Sequence, residues 1–169
     1  PTAEPLLRGS ALVTGAASGE SACSPAGPWL RRGQPDRSAP GPTGIGYATA
    51  LAFAQHGIAQ LALADINLDA LNASIQTLRE SCPHVEVLPL HLDVRKPDEV
   101  RAGVAQAVAR FGRLDVAVNN AGVGGAKPML ETEPEDWDRI VDTNLRGAWL
   151  MAQETARHMT RLGHGGSII

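Results

Sequence analysis

Apolar residues in this chain fall into two rhythms that alternate from one end to the other. Short apolar runs occupy Ser10–Thr14 and residues 58–64, 85–92 and 114–118, and each ends on Gly15, Asp65, Asp93 or Asn119. Runs of this length bounded by turn residues read as buried strands, and residues 166–169 (GSII) begin a fifth. Between them apolar positions recur at helical spacing. Residues 45–56 predict a helix closed by Gly57, and Leu68–Ser81 a second with Asn67 as its cap and Pro83 beyond its end. Pro97–Phe111 carries Pro in its first turn. Residues 134–162 predict one long helix with Thr132 or Glu133 near its start. Strands alternating with helices imply parallel β-α-β units. The expected architecture is α/β: a doubly wound parallel sheet of order 3-2-1-4-5, in three layers with helices on both faces. Residues 1–169 are read as a single, incomplete domain that stops in its fifth strand. A ligand site is expected at the carboxyl ends of the strands, where the winding reverses.

One segment breaks the pattern. Residues 20–44 hold five prolines and four glycines in 25 positions, with no apolar period. That composition predicts a disordered insertion. Strand-to-helix connections usually run about 2–6 residues, so an ordinary surface loop fits poorly. Leaving the segment out joins ALVTGAASG to IGYATALAFAQHG. Gly19-Glu20-Ser21 can be encoded with the intron start GTGAGT, and Thr43-Gly44 with the intron end CAG. The hypothesis is a retained in-frame intron or a gene-model error, and genomic DNA without GTGAGT at that junction would remove it.

Composition narrows the class. The chain is 43% hydrophobic and 20% charged with a net charge of −3, which gives no basic surface for nucleic acid or an anionic membrane. Cys23 and Cys82 form no disulfide framework, and the five histidines have no metal-ligand spacing, so no metal is expected. No apolar run approaches a membrane span, and the start lacks the apolar core of a signal peptide. A reduced, cytoplasmic setting is the expectation.

The turn after the first strand, read without the extra segment, is TGAASGIG: Thr14, Gly15, Gly19, Ile45 and Gly46. Glycines between a strand and a helix let backbone N–H groups meet a diphosphate. About 25 positions further on by the same count, Asp65 ends the second strand, where a carboxylate accepts hydrogen bonds from ribose hydroxyls and repels a 2′-phosphate. No basic residue stands among Ala16, Ala17 and Ser18, which agrees with NAD over NADP. Here the chain resembles the short-chain dehydrogenase/reductase family, whose fold is Rossmann-type. Leu92-Asp93-Val94, Asn119-Asn120-Ala121-Gly122, Asp142-Thr143-Asn144-Leu145-Arg146-Gly147 and the final GSII match family phrases in order and spacing. The resemblance implies that Asp93 contacts the adenine amino group and the Val94 N–H its ring. It implies that the phrase Asn119-Asn120-Ala121-Gly122 stabilises the central sheet and lines the cofactor ribose, with Asn119, Ala121 and Gly122 as the contacts to the cofactor. Asn144 is implied to join a water relay in catalysis. Each also has a plainer reading: Asp65 or Asp93 as caps, Asn119 as a turn residue, Asn144 on the solvent side of its helix. Met129, Trp137 and Trp149 are read as packing residues.

The family's chemistry uses a Ser and a Tyr-x-x-x-Lys, and neither is matched here. Tyr47 is the only tyrosine, with Leu51 at the fourth position after it, and Ser167 comes too early in its strand. The leading expectation is the cofactor-binding part of an NAD-preferring oxidoreductase that transfers hydride between nicotinamide and an alcohol or ketone, inactive as written. An alternative is a non-catalytic dinucleotide-binding or dimerisation module, forming homo-oligomers through residues 134–162. A third, a Rossmann-like methyltransferase, is disfavoured by the glycine turn and NNAG.

Overall fold

The computed structural model describes residues 7–17, 44–125 and 127–169. Gly19 and all of the extra segment except Gly44 therefore lie outside the described residues. The strands are β1 (Ser10–Thr14), β2 (Gln60–Asp65), β3 (Glu86–His91), β4 (Val116–Val118) and β5 (Ser167–Ile168). They form one parallel sheet in the order β3-β2-β1-β4-β5, the order expected from the sequence. The helices are α1 (Ile45–Gln55), α2 (Leu68–Ser81), α3 (Pro97–Phe111), α4 (Pro134–Val141) and α5 (Ala148–Leu162).

Local chemistry sets the boundaries. Gly57, at φ 109°, turns the chain out of α1 where a side chain would be strained. The Asn67 side chain accepts the Ala70 N–H at 3.0 Å and starts α2. Pro97 opens α3, and Gly112 closes it in the left-handed region. The strands are shorter than their apolar runs because Ile58, Val85 and Leu114 are buried while leading into the sheet.

Alternation along the strands divides the core in two. Ala11, Val13, Leu61 and Leu63 face α1 and α2, packing with Ala50, Leu71, Ile75 and Leu78. Leu12, Ala62 and Ala64 face the other way, against Val100, Val104 and Ala107 of α3 and Met151 and Met159 of α5. This accounts for the near-continuous apolar strands, which are covered on both faces.

Two expectations are corrected. The long helix over 134–162 is not uniform, because Asp142–Gly147 is a π-helical segment between α4 and α5. The reason lies in its contacts: Thr143 and Gly147 are buried toward the sheet while Asn144 and Arg146 reach out to loops. Met129, Trp137 and Trp149 are not packing residues; they are 91%, 63% and 56% exposed. Met129 sits in a 3-10 turn, Met129–Glu131, and the tryptophans on helix faces that no described residue covers.

Candidate functional site

The carboxyl ends of β1, β2, β3 and β4 meet at one edge of the sheet. A cleft of about 210 Å³ opens there, lined by Gly15, Asp65, Ile66, Leu92, Asp93, Val94, Arg95, Ala121, Gly122, Val123, Arg139 and Thr143 among others. Six of the residues singled out in the sequence line it: Gly15, Asp65, Asp93, Val94, Ala121 and Gly122.

The turn after β1 is built for close approach. Gly15 takes φ 65°, and a Cβ there would lie 2.9 Å from the Ala121 Cα. A Cβ on Gly46 would overlap the Gly15 carbonyl oxygen and come within 2.6 Å of Asn120 Nδ2. Helix α1 thus starts directly against the turn. With no side-chain bond from its N-cap, Gly44, and no acidic residue in the first turn, the first-turn N–H groups at the positive end of the helix dipole are suited to an anion. Ile45 opens that helix and is exposed.

Thr14 does not face the cleft. Its hydroxyl is buried, donates to the Val118 carbonyl at 3.3 Å and accepts the N–H groups of Asn120 and Ala121, each at 3.0 Å. The Asn120 amide donates in return to the carbonyls of Thr14 (3.0 Å) and Gly15 (3.2 Å). These bonds lock the ends of β1 and β4 together, and Asn120 is the member of the Asn119–Gly122 phrase whose side chain ties the sheet. Asn119 donates its N–H to the Ile169 carbonyl at 2.7 Å, and its side-chain oxygen is buried without a partner among the described residues.

Asp65 stands at the end of β2 with each carboxylate oxygen holding one backbone N–H. Ala17 donates to Oδ2 and Asn67 to Oδ1, both at 2.9 Å. Among the described residues each oxygen keeps a further lone pair. At the end of β3, Asp93 is 5% exposed and tied to Arg95. Arg95 Nε donates to Oδ1 at 2.9 Å and Nη2 to Oδ2 at 2.7 Å. Hydrogen bonding from the Arg95 side chain holds the Asp93 carboxyl below the usual range, against the opposing effect of burial. The Asp93 N–H donates to Glu99 at 2.9 Å. Arg95 was not singled out beforehand; a cation two residues after a strand-end Asp was the available signal.

Asn144 lies on the π-helical segment, outside the cleft lining. Its amide pairs with the Val123 backbone as a neighbouring strand would, accepting the N–H at 2.8 Å and donating to the carbonyl at 2.9 Å. It is exposed, yet it holds the loop after β4 in place, so the solvent-facing alternative is incomplete. Tyr47 is buried on α1, and burial pushes its hydroxyl above the usual range. Among the described residues no group of three His, Cys, Asp or Glu could hold a metal ion. No described helix is long and apolar enough to cross a membrane.

Comparison with known proteins agrees with this geometry. Residues 40–169 match the family model described as enoyl-(acyl carrier protein) reductase. Levodione reductase of Leifsonia aquatica is 36% identical over 126 residues, covering 74% of this chain and 47% of that protein. Momilactone A synthase of Oryza sativa subsp. japonica is 42% identical over 130 residues, covering 76% and 46%. The chain thus spans about half the length of the curated relatives it matches. Among solved structures, a short-chain dehydrogenase from Mycobacterium smegmatis superposes with a TM-score of 0.78 at 29% identity, over 97% of this chain and 58% of that one. A short-chain type dehydrogenase/reductase from Mycobacterium marinum gives 0.75 at 34% identity, over 95% and 53%. With a family model matched over residues 40–169 and a shared fold with these proteins, the chain belongs to the short-chain dehydrogenase/reductase family.

Proposed function

We propose that this chain is the cofactor-binding part of an NAD-preferring oxidoreductase acting on a small alcohol or ketone in the cytoplasm. The observation that carries the reading is the convergence of Gly15, Asp65 and Asp93, from three strand ends, on one cleft. The Gly15 turn and the start of α1 at Ile45 and Gly46 would hold the diphosphate, and Gly19, outside the described residues, is proposed as a further contact from the sequence motif. Asp65 would use its remaining lone pairs for the ribose hydroxyls, and its charge would repel a 2′-phosphate. Asp93 and the Val94 N–H would meet the adenine edge. Ala121 and Gly122 would line the ribose wall, and Asn119, which lies outside the cleft lining, would support the sheet beside it. Bound nicotinamide would supply the hydride chemistry.

Asn144 holds Val123 and so keeps the loop over the site, and its exposed position suits a water relay. General acid/base work needs a side chain within hydrogen-bond reach of the reacting oxygen. Tyr47, buried in the first helix, has no such access, so the 169 residues are expected to bind cofactor without turnover. Titration with NADH and NADPH tests the reading. NADH should bind more tightly, and Asp65→Ala should erase most of that preference. Absence of an NADH complex, or an Asp65→Ala protein with the original preference, refutes it.

A second reading is favoured by exposed Trp137, Leu145 and Trp149: association of two chains through residues 134–162. Sedimentation of the chain alone and of a Trp149→Glu variant separates the two, since only association predicts a change in mass.

A further inference from the structure

We propose that His91 is a second residue that sets the cofactor preference: on taking up a proton it places a positive charge beside Asp65, so that the cleft admits in acid a 2′-phosphate that it excludes near neutrality. The proposal rests on the reading of Asp65 as the ribose-binding carboxylate.

The strand register puts the two side chains together. Asp65 and His91 are Cα partners at the ends of β2 and β3. Side chains alternate along a strand, and Leu61 and Leu63 of β2 and Val87 of β3 lie in the core under α1 and α2. Asp65 and His91 continue those rows, so both stand on that face, on strands spaced about 4.8 Å apart. Successive bonds fasten this end. The Leu92 N–H donates to the Asp65 carbonyl at 3.0 Å, and His91 Nε2 meets the Ile66 carbonyl at 3.0 Å. Ile66 lines the cleft next to Asp65. The imidazole is therefore anchored to the backbone that carries the proposed ribose acceptor.

That anchor decides what His91 presents. A carbonyl only accepts, so Nε2 carries the proton. Nδ1 has no partner among the described residues, and His91 is exposed. Neutral His91 thus turns a bare acceptor to solvent. Protonated, it turns out an N–H donor and a full positive charge without giving up its bond to Ile66. Histidine is the side chain whose ordinary charge change falls between pH 5 and 8. The charged groups around it are few. β2 brings Asp65 and the first turn of α2 brings Asp69, both carboxylates. The loop after β3 brings Asp93, Arg95 and Lys96, of which Arg95 is paired with Asp93 and Lys96 with Glu99. β3 is the outer strand of the sheet formed by the described residues, so no further strand flanks it. His91 is then the group at this corner whose charge switches, and it switches against the Asp65 carboxylate that repels a 2′-phosphate.

The test titrates the 169-residue chain with NAD and with NADP by calorimetry at about pH 8 and about pH 5.5, the range in which histidine changes charge. The ratio of the two affinities is read, so that a general loss of binding cancels. A phosphate monoester itself drops from about two charges toward one near pH 6, which eases repulsion by Asp65 in any variant. His91→Gln sets that baseline, because its amide can keep a bond to Ile66 and never becomes charged. Even with water-like screening, a unit positive charge beside a phosphate of one to two negative charges is worth about threefold in affinity. From the higher pH to the lower, the ratio in the unaltered chain should therefore move toward NADP by about threefold or more beyond its movement in His91→Gln. His91→Arg carries a fixed charge, and should favour NADP over the unaltered chain at the higher pH with that extra movement gone. Equal movement in the unaltered and glutamine proteins overturns the proposal, and so does NADP binding that stays undetectable at both pH values. If NAD itself does not bind the unaltered chain, the dinucleotide reading falls and this proposal with it; NAD binding with a ratio indifferent to residue 91 removes this proposal alone.

Discussion

Thr14→Val isolates the bonds that fasten the cofactor turn to the rest of the sheet. Thr14 is 1% exposed, and its hydroxyl serves three backbone groups of β4 and the loop after it. Valine keeps the shape and removes every one of those bonds. The Asn120 and Ala121 N–H groups lose their acceptor, at about 1–3 kcal/mol each when fully buried. Both residues are half-buried, so the lower part of that range applies, giving about 2–4 kcal/mol in sum. Burying a methyl in place of the hydroxyl returns about 0.8 kcal/mol. The net expectation is a loss of about 1–3 kcal/mol, a large part of a typical domain stability. Urea unfolding followed by far-ultraviolet circular dichroism reads this as a lower midpoint at unchanged slope. Thr14→Ser is the control: it keeps the hydroxyl, loses only a methyl, and should fall by about 1 kcal/mol. Amide exchange at Asn120 and Ala121 should quicken in the valine protein and not in the serine one. A valine protein within about 0.5 kcal/mol of the original, or one whose amide exchange at Asn120 and Ala121 matches that of the serine protein, would show that these bonds do not fasten the turn.

Two further outcomes are expected. Gly147→Ala should weaken NADH binding more than it lowers the melting temperature, because the new methyl pushes on Val94 at the cleft wall; an unchanged affinity would count against that. Stability should be level near neutrality and fall in acid. The Asp93 carboxyl is held low by hydrogen bonding from Arg95, and burial that would raise Asp115 is outweighed by its bonds from Arg113 and the Ser10 N–H. Groups depressed in the folded state add stability above their unfolded pKa of about 4 and lose it as pH falls through the folded values. A melting temperature that begins to drop near pH 6 would point to other groups.

What could be read from the sequence was whatever depends on near neighbours along the chain. The end of β1 at Gly15, the Asn67 cap and the Pro97 start are each decided within a few residues, and the strand order follows from alternation and connection length. The particular bonds by which Thr14 and Asn120 tie the sheet were not legible, because they join residues more than a hundred positions apart. Thr14 stands inside the glycine motif yet turns its hydroxyl away from the ligand side. Trp137 and Trp149 misled for the opposite reason: large apolar side chains are usually buried, but a helix pattern does not say which face finds a partner.

The π-helical turn explains how a helix packed on one face of the sheet can govern a site at its edge. In a regular α-helix, positions 143 and 147 share a face, and 144 and 146 diverge by a fixed amount. Insertion of a wider turn changes that divergence, and π-turns recur at functional sites. Here Thr143 and Gly147 stay buried, while Asn144 reaches the loop after β4 and Arg146 reaches the loop after β3. One six-residue segment therefore grips both loops that flank the proposed adenosine. Neither grip adds to the two apolar cores, in which no residue of 142–147 takes part. Substitutions at 144 and 146 should consequently be read out in ligand affinity and loop exchange rather than in the cooperative unfolding of the sheet.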